Sequence, residues 1–259
     1  MDMNLEKIAR SREYFTPYQR YISGRIVEYD IKSANITMLK KYNIINNEFY
    51  TYLSNLPKYN REVEIGLKIR ESKEYYETIQ KGIIDSKLLL FQYNDIQEPE
   101  VIRIANDAVY INRSIDLKYT QFGDVLFRQK SISDVVLRID TLIFFYFNRN
   151  NEMNIDVKGL GNNQIFHQKY MLSFIASVIN LVEISSLNDA INFITDFYKE
   201  YISKTLDIGF YRELNPMSMY KISGSDYCIS NATNINDIDI SFNASLIREL
   251  YSILLSKFR

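Results

Sequence analysis

Residues 25–39, Arg-Ile-Val-Glu-Tyr-Asp-Ile-Lys-Ser-Ala-Asn-Ile-Thr-Met-Leu, change structural grammar at a single acid. Ile26, Val27 and Tyr29 favour a strand, and Asp30 falls where that strand runs out. Ser33 is placed to cap a helix in which Ile36, Met38 and Leu39 begin an apolar helical pattern. A carboxylate between the C-terminal end of a strand and a helix is well placed to hold a metal ion over a sheet. The presentation recurs in residues 100–112, which read as strand, two-residue Asn106-Asp107 turn, strand: a β-hairpin with an acid at its tip. The two acids are 107 − 30 = 77 residues apart. Presented this way they are the minimum set for two-metal phosphoryl transfer. The plainer alternative makes Asp30 a helix cap and Asp107 a type I′ turn residue.

The surrounding pattern is α+β. Residues 44–56 and 59–70 read as short helices on either side of Pro57. A longer one, residues 72–93, offers Tyr76, Ile79, Ile83, Leu90 and Phe91 to a core. Pro99 ends this helical stretch. Strand patterns return at 117–119, 124–128, 142–147 and 154–158, and Gly159 and Gly161 mark a turn. Helices are expected at 163–184, 186–206 and 244–258, with two short strands at 219–223 and 226–230.

Composition narrows the chemistry. With 259 residues, 46% hydrophobic and 24% charged, the chain can bury a sizeable core. One cysteine, Cys228, excludes an intrachain disulfide and a cysteine zinc site, and one histidine, His167, excludes a multi-histidine metal site. The apolar runs 135–147 and 171–182 are too short or interrupted to span a membrane, no signal peptide is visible, and a reducing cytoplasm is expected. A net charge of −1 means that any grip on nucleic acid needs local patches or a partner subunit. Arg12, Arg20 and Arg25, interleaved with Tyr14, Phe15, Tyr18 and Tyr21, form one candidate patch.

The run Asp30-Ile-Lys-Ser-Ala-Asn-Ile-Thr-Met-Leu resembles motif A of family A DNA polymerases, with Asn35 in the place that guards the nucleotide sugar. The hairpin Ala105-Asn-Asp-Ala-Val-Tyr110 resembles their motif C, a His-Asp-Glu turn, with Asn106, Asp107 and Ala108 in those places. It also looks like palm-like phage proteins of unknown function. The likeness covers residues 25–112. It implies a polymerase palm-like antiparallel sheet with helices, a reduced fingers-like insertion at about 41–98 within a core of residues 1–112, and a C-terminal α+β region, 113–259. It implies that Asp30 and Asp107 are catalytic and bind Mg2+ or Mn2+, one ion activating a primer 3′-hydroxyl and the other steadying a triphosphate. Lys58 and Arg61 are then the candidates for the triphosphate. The expected partners are primer-template, nucleoside triphosphate and other protein subunits, without a membrane, in the host cytoplasm of a phage. The pattern departs from the family at Ala108, where a second acid is usual, and in its short fingers interval. A catalytically degenerate palm serving as a structural subunit of a phage replication or transcription assembly is the alternative, and a metal-dependent nuclease is a third.

Remaining candidates are weaker. Alternation along the strand points Glu28 to the same face as Asp30 as an accessory ligand, whereas nothing places Asp85. His167 has no acidic partner in reach by spacing. Asp156 and Lys158 precede a turn, Arg212 lies between aromatics, Asp237 and Asp239 flank a strand, and Cys228 reads as buried and inert.

Overall fold

The computed structural model describes residues 3–139, 143–148, 155–158, 169–212, 219–220, 228–229 and 240–257. The chain forms two compact units. One is Met1–Pro17 with Gly24–Ile132; the other is Tyr18–Ser23 with Ser133–Arg259.

The first unit is α+β. It begins with α1 (Met3–Arg10) and β1 (Glu13–Phe15), and takes in most of β2 (Tyr21–Ile31). Helices α2 (Ala34–Lys41), α3 (Asn47–Asn55), α4 (Lys58–Glu71) and α5 (Lys73–Tyr93) follow. Then come β3 (Val101–Ala105), β4 (Ala108–Asn112), β5 (Gln121–Phe122) and the first part of β6 (Val125–Arg138). The strand order is β1-β3-β4-β2-β6, with β5 also on β6. The pairs β1–β3, β3–β4, β2–β4 and β5–β6 are antiparallel.

Alternation decides which face the helices cover. Val27, Tyr29 and Ile31 of β2, Ile104 of β3, Val109 and Ile111 of β4, and Val125 and Phe127 of β6 share one core with the helices. From the helical side come Ile36, Met38 and Leu39 of α2 and Ile79, Ile83, Leu90 and Phe91 of α5. The intervening positions Glu28, Asp30, Tyr110, Arg128 and Lys130 therefore lie on the other face. Leu5, Ile8 and Ala9 of α1 are buried in the same core, so the N-terminal segment is an amphipathic lead-in at least in part.

Several sequence expectations change here. Ser33 takes the helix-capping position of α2, but in a left-handed conformation with no side-chain cap bond. Its carbonyl accepts from the Thr37 N–H instead, while the Thr37 hydroxyl donates to the Lys32 carbonyl. The hairpin turn has a positive φ at Asn106 (54°) and not at Asp107, the pattern of a II′ turn and not of I′. Residues 117–119 are not a strand. The Leu117 N–H donates to the Tyr29 hydroxyl, and the Asn94 amide both accepts from the Tyr119 N–H and donates to its carbonyl. Side chains satisfy the backbone groups that a neighbouring strand would have taken. The first unit runs on to Ile132, and Val125 and Phe127 fill its core.

The second unit carries the rest of β6, whose residues Val135 to Arg138 pair with β7 (Phe144–Phe147), which pairs with β8 (Ile155–Lys158). Helices α6 (Lys169–Ile184), α7 (Leu187–Ile202), α8 (Ile208–Arg212) and α9 (Ser241–Lys257) accompany a small pair, β9 (Met219–Tyr220) and β10 (Cys228–Ile229). Its core stacks Phe174 on Phe197 at 3.8 Å between ring centroids and Tyr201 on Tyr211 at 4.8 Å. Tyr21 is buried there and donates from its hydroxyl to Glu183. His167, Gly159, Gly161, Asp237 and Asp239 lie outside the described residues.

Candidate functional site

The register of β2 on β4 sets Asp30 opposite Ala108, so Asp107, one residue earlier on the hairpin turn, stands beside Asp30. The two carboxyl groups are in hydrogen-bonding contact. Burial, that hydrogen bond and the Asp30 charge push the Asp107 carboxyl up to about 6, with Lys130 pulling the other way. Two carboxylates this close repel unless a proton or a cation lies between them.

The turn that presents Asp107 is fixed from both sides. The Asn106 N–H donates to the Arg12 carbonyl at 2.6 Å. The Asn106 carbonyl accepts from Lys87 Nζ at 3.3 Å, and the same ammonium donates to the Ser11 carbonyl at 3.0 Å. Lys87 is 1% exposed on α5. Burial pushes its ammonium down to about 8, against the pull of Asp107 and Glu13. A positive φ is tolerated by asparagine, which explains Asn106 at this corner.

Glu28 lies two residues before Asp30 and is 3% exposed. Lys130 Nζ donates to its Oε1 at 2.9 Å and Ser131 Oγ to its Oε2 at 2.8 Å. Burial alone would raise the Glu28 carboxyl, but hydrogen bonds from Lys130, Ser131 and Tyr110 outweigh it and leave Glu28 below the usual carboxylate value. Lys130 also comes within 3.8 Å of Asp30 Oδ2, and Arg128 Nη2 within 3.9 Å of the same oxygen. Glu28 does share a face with Asp30, as alternation implies, but its oxygens are committed to Lys130 and Ser131.

A magnesium or manganese ion would find oxygen ligands in Asp30 and Asp107. Beside them, the Asn106 Oδ1 is buried without a hydrogen-bond partner. No group of three or more His, Cys, Asp or Glu side chains gathers among the described residues. A pair still fits magnesium, which keeps several waters and is commonly held by one or two carboxylates together with substrate phosphates.

The other candidates divide. Asn35 Nδ2 donates to Glu62 Oε2 at 2.6 Å, and Arg61 Nε lies 3.9 Å from Glu62 Oε1, so α2 and the start of α4 bring Asn35 and Arg61 to one acid. Lys58, one turn before Arg61, is exposed. Asp85 instead accepts from the Tyr42 hydroxyl at 2.6 Å; burial and that bond push Tyr42 up to about 12. Arg12 is exposed and donates to the Tyr76 hydroxyl, and Arg25 pairs with Asp116 at 2.5 Å. Arg20 belongs to the second unit, where it pairs with Glu249, so the three arginines are not one patch within a single unit. Asp156 and Lys158 pair with each other on β8.

Sequence reasoning missed Lys87, Arg128 and Lys130. The alternation of β6 held the signal for the last two: Val125 and Phe127 inward, Arg128 and Lys130 outward.

No curated protein matches the chain. No helix among the described residues is long and apolar enough to cross a membrane. The family model described as "Bacteriophage PBS1 gene 130 protein" matches residues 5–256. That match bears out the expectation of a phage protein and brings no polymerase description with it. The chain belongs to the bacteriophage PBS1 gene 130 protein family.

Proposed function

We propose that Asp30 and Asp107 hold a divalent cation, magnesium or manganese, for phosphoryl transfer in the manner of a polymerase palm. The observation that carries this reading is the register that sets Asp30, at the end of β2, beside Asp107 on the β3–β4 turn, with the two carboxyl groups in contact. Such a pair stores repulsion that a cation relieves, and perturbed acids of this kind gather at functional sites. An antiparallel sheet with helices on one face, and the order strand–Asp30–helix, helical insertion, Asp107 hairpin, agree with the palm resemblance.

In this reading Asp107 releases its proton when the cation binds, and Lys87 and the Arg12 carbonyl keep the turn in place. Asn35, tied to Glu62, stands on the first turn of α2 to meet the nucleotide sugar, with Arg61 and Lys58 for the triphosphate. Bound, the ion supplies charge neutralisation and Lewis acidity to a primer 3′-hydroxyl and a nucleoside triphosphate.

The second reading is a degenerate palm acting as a structural subunit of a phage replication or transcription assembly. Ala108 in place of a second acid favours it, as do Arg128 and Lys130, which already supply counter-charge to Asp30. Primer extension by the purified protein with Mg2+ or Mn2+ decides between them. Extension abolished by Asp30→Ala and by Asp107→Ala supports the enzyme. No extension, with no cation-dependent rise in melting temperature of the wild type over the variants, supports the subunit.

A further inference from the structure

We infer that Arg128 and Lys130 form a phosphate-binding pair beside the two acids, aimed by the buried Glu28. The inference rests on the reading of Asp30 and Asp107 as a cation site. Both side chains project from β6 and are about half exposed, 53% and 52%. Both approach the same oxygen of Asp30, but at 3.9 and 3.8 Å, beyond hydrogen-bonding distance. The Arg128 guanidinium makes no hydrogen bond among the described residues, so its fork of donors remains available to a planar or tetrahedral oxyanion.

Glu28 explains the aim. A carboxylate that is 3% exposed is costly to keep charged, and its Oε1 is taken by Lys130. The ammonium is thereby held at one place on the sheet face and not left to wander on a four-carbon stem. Charge balance then points to an anion. A divalent cation cancels Asp30 and Asp107, Glu28 cancels one of the two side-chain cations, and a positive charge remains beside the metal. An oxyanion bridging that charge and the cation is the group that completes the site: a phosphate, from a nucleoside triphosphate or from a nucleic-acid backbone.

Two probes separate these sources: inorganic tripolyphosphate, followed by calorimetry, and a short fluorescent single-stranded DNA, followed by anisotropy, each with Mg2+. Mn2+ binding is followed alone by electron paramagnetic resonance. With one charge-assisted contact removed, Arg128→Gln and Lys130→Gln each weaken phosphate binding about tenfold or more. Mn2+ affinity is unchanged or tighter, because a competing cation has gone, and Lys130→Arg restores phosphate binding. Loss confined to tripolyphosphate supports a nucleotide triphosphate as the source, and loss confined to the DNA supports a backbone phosphate. Unchanged binding of both probes in Arg128→Gln and Lys130→Gln, or no binding of either by the wild type, overturns the pair. Should Lys130→Gln fail to fold, because it strands Glu28, the exposed Arg128→Gln decides. If the wild type binds no Mn2+, the cation reading fails and the pair with it; Mn2+ binding with unchanged phosphate binding in the variants overturns the pair alone.

Discussion

Asp107 sets a pH dependence whose sign follows from its environment. Its ordinary value is 3.8 and its folded value about 6, so between those limits the folded chain binds the extra proton. Stability attributable to this group is therefore fully present below about pH 4 and is lost as pH rises through about 6. Asp107→Asn mimics the protonated state. It should stabilise the protein at pH 7.5 by something on the order of 1–3 kcal/mol and flatten the slope of stability between pH 4 and 6. Chemical denaturation across that pH range checks it; an unchanged slope would show that the two carboxyls do not share a proton. Cation binding has the opposite sign, since the ion needs both groups ionised. The Mn2+-induced rise in melting temperature should accordingly be small at pH 5 and grow through pH 6 to 7.5. A rise that is flat across this range would place the ion elsewhere.

At the scale of elements, what was legible in the sequence is what is local. Asp30 at the end of β2 and Asp107 on a two-residue turn are written within a dozen residues of their own surroundings. So are α3, α4 and α5, whose apolar spacing survives in Leu53, Ile65, Ile79 and Ile83. Residues 117–119 read wrongly because Asn94 and Tyr29, both distant in sequence, supply their hydrogen bonds. Lys87 was invisible for the same reason: its meaning lies in the carbonyls of Ser11 and Asn106, which only the folded chain brings together. Packing of α2 on α5 is likewise non-local, and it turns on Gly82. A Cβ there would lie 2.6 Å from Met38 Sδ, 2.9 Å from its Cγ and 3.1 Å from its Cβ. Alanine gains up to about 1 kcal/mol of helix propensity, but overpacking costs about 1–3 kcal/mol. The contact reaches back to the Met38 Cβ, which no side-chain rotation moves, so the clash prevails. Gly82→Ala should lower the denaturation midpoint without changing the slope, and its cost should be smaller when measured in a Met38→Ala background than in the wild type.

Over the whole molecule, the division into two units makes a prediction that the sequence motifs alone do not. The polymerase-like motifs end by residue 112, yet the first unit runs to Ile132. Residues 113–132 contribute Leu117, Val125 and Phe127 to its core. They also contribute Lys130 and Ser131, both donors to the buried Glu28. A fragment of residues 1–112 therefore loses apolar burial on one face of β2 and leaves a buried carboxylate without Lys130 or Ser131 on the other. Lys130 is about half exposed, so the lost ion pair counts for less than a fully buried one. The lost burial of Leu117, Val125 and Phe127, about 1.5–3 kcal/mol each, is by itself comparable to the stability of a small domain. Residues 1–132 retain every one of these contacts. The longer fragment should melt cooperatively and give a dispersed amide spectrum, whereas the shorter one should not. If residues 1–112 fold as well as 1–132, the acids need no support from β6, and a phosphate-binding pair on that strand would be an appendage to the site and not part of its construction.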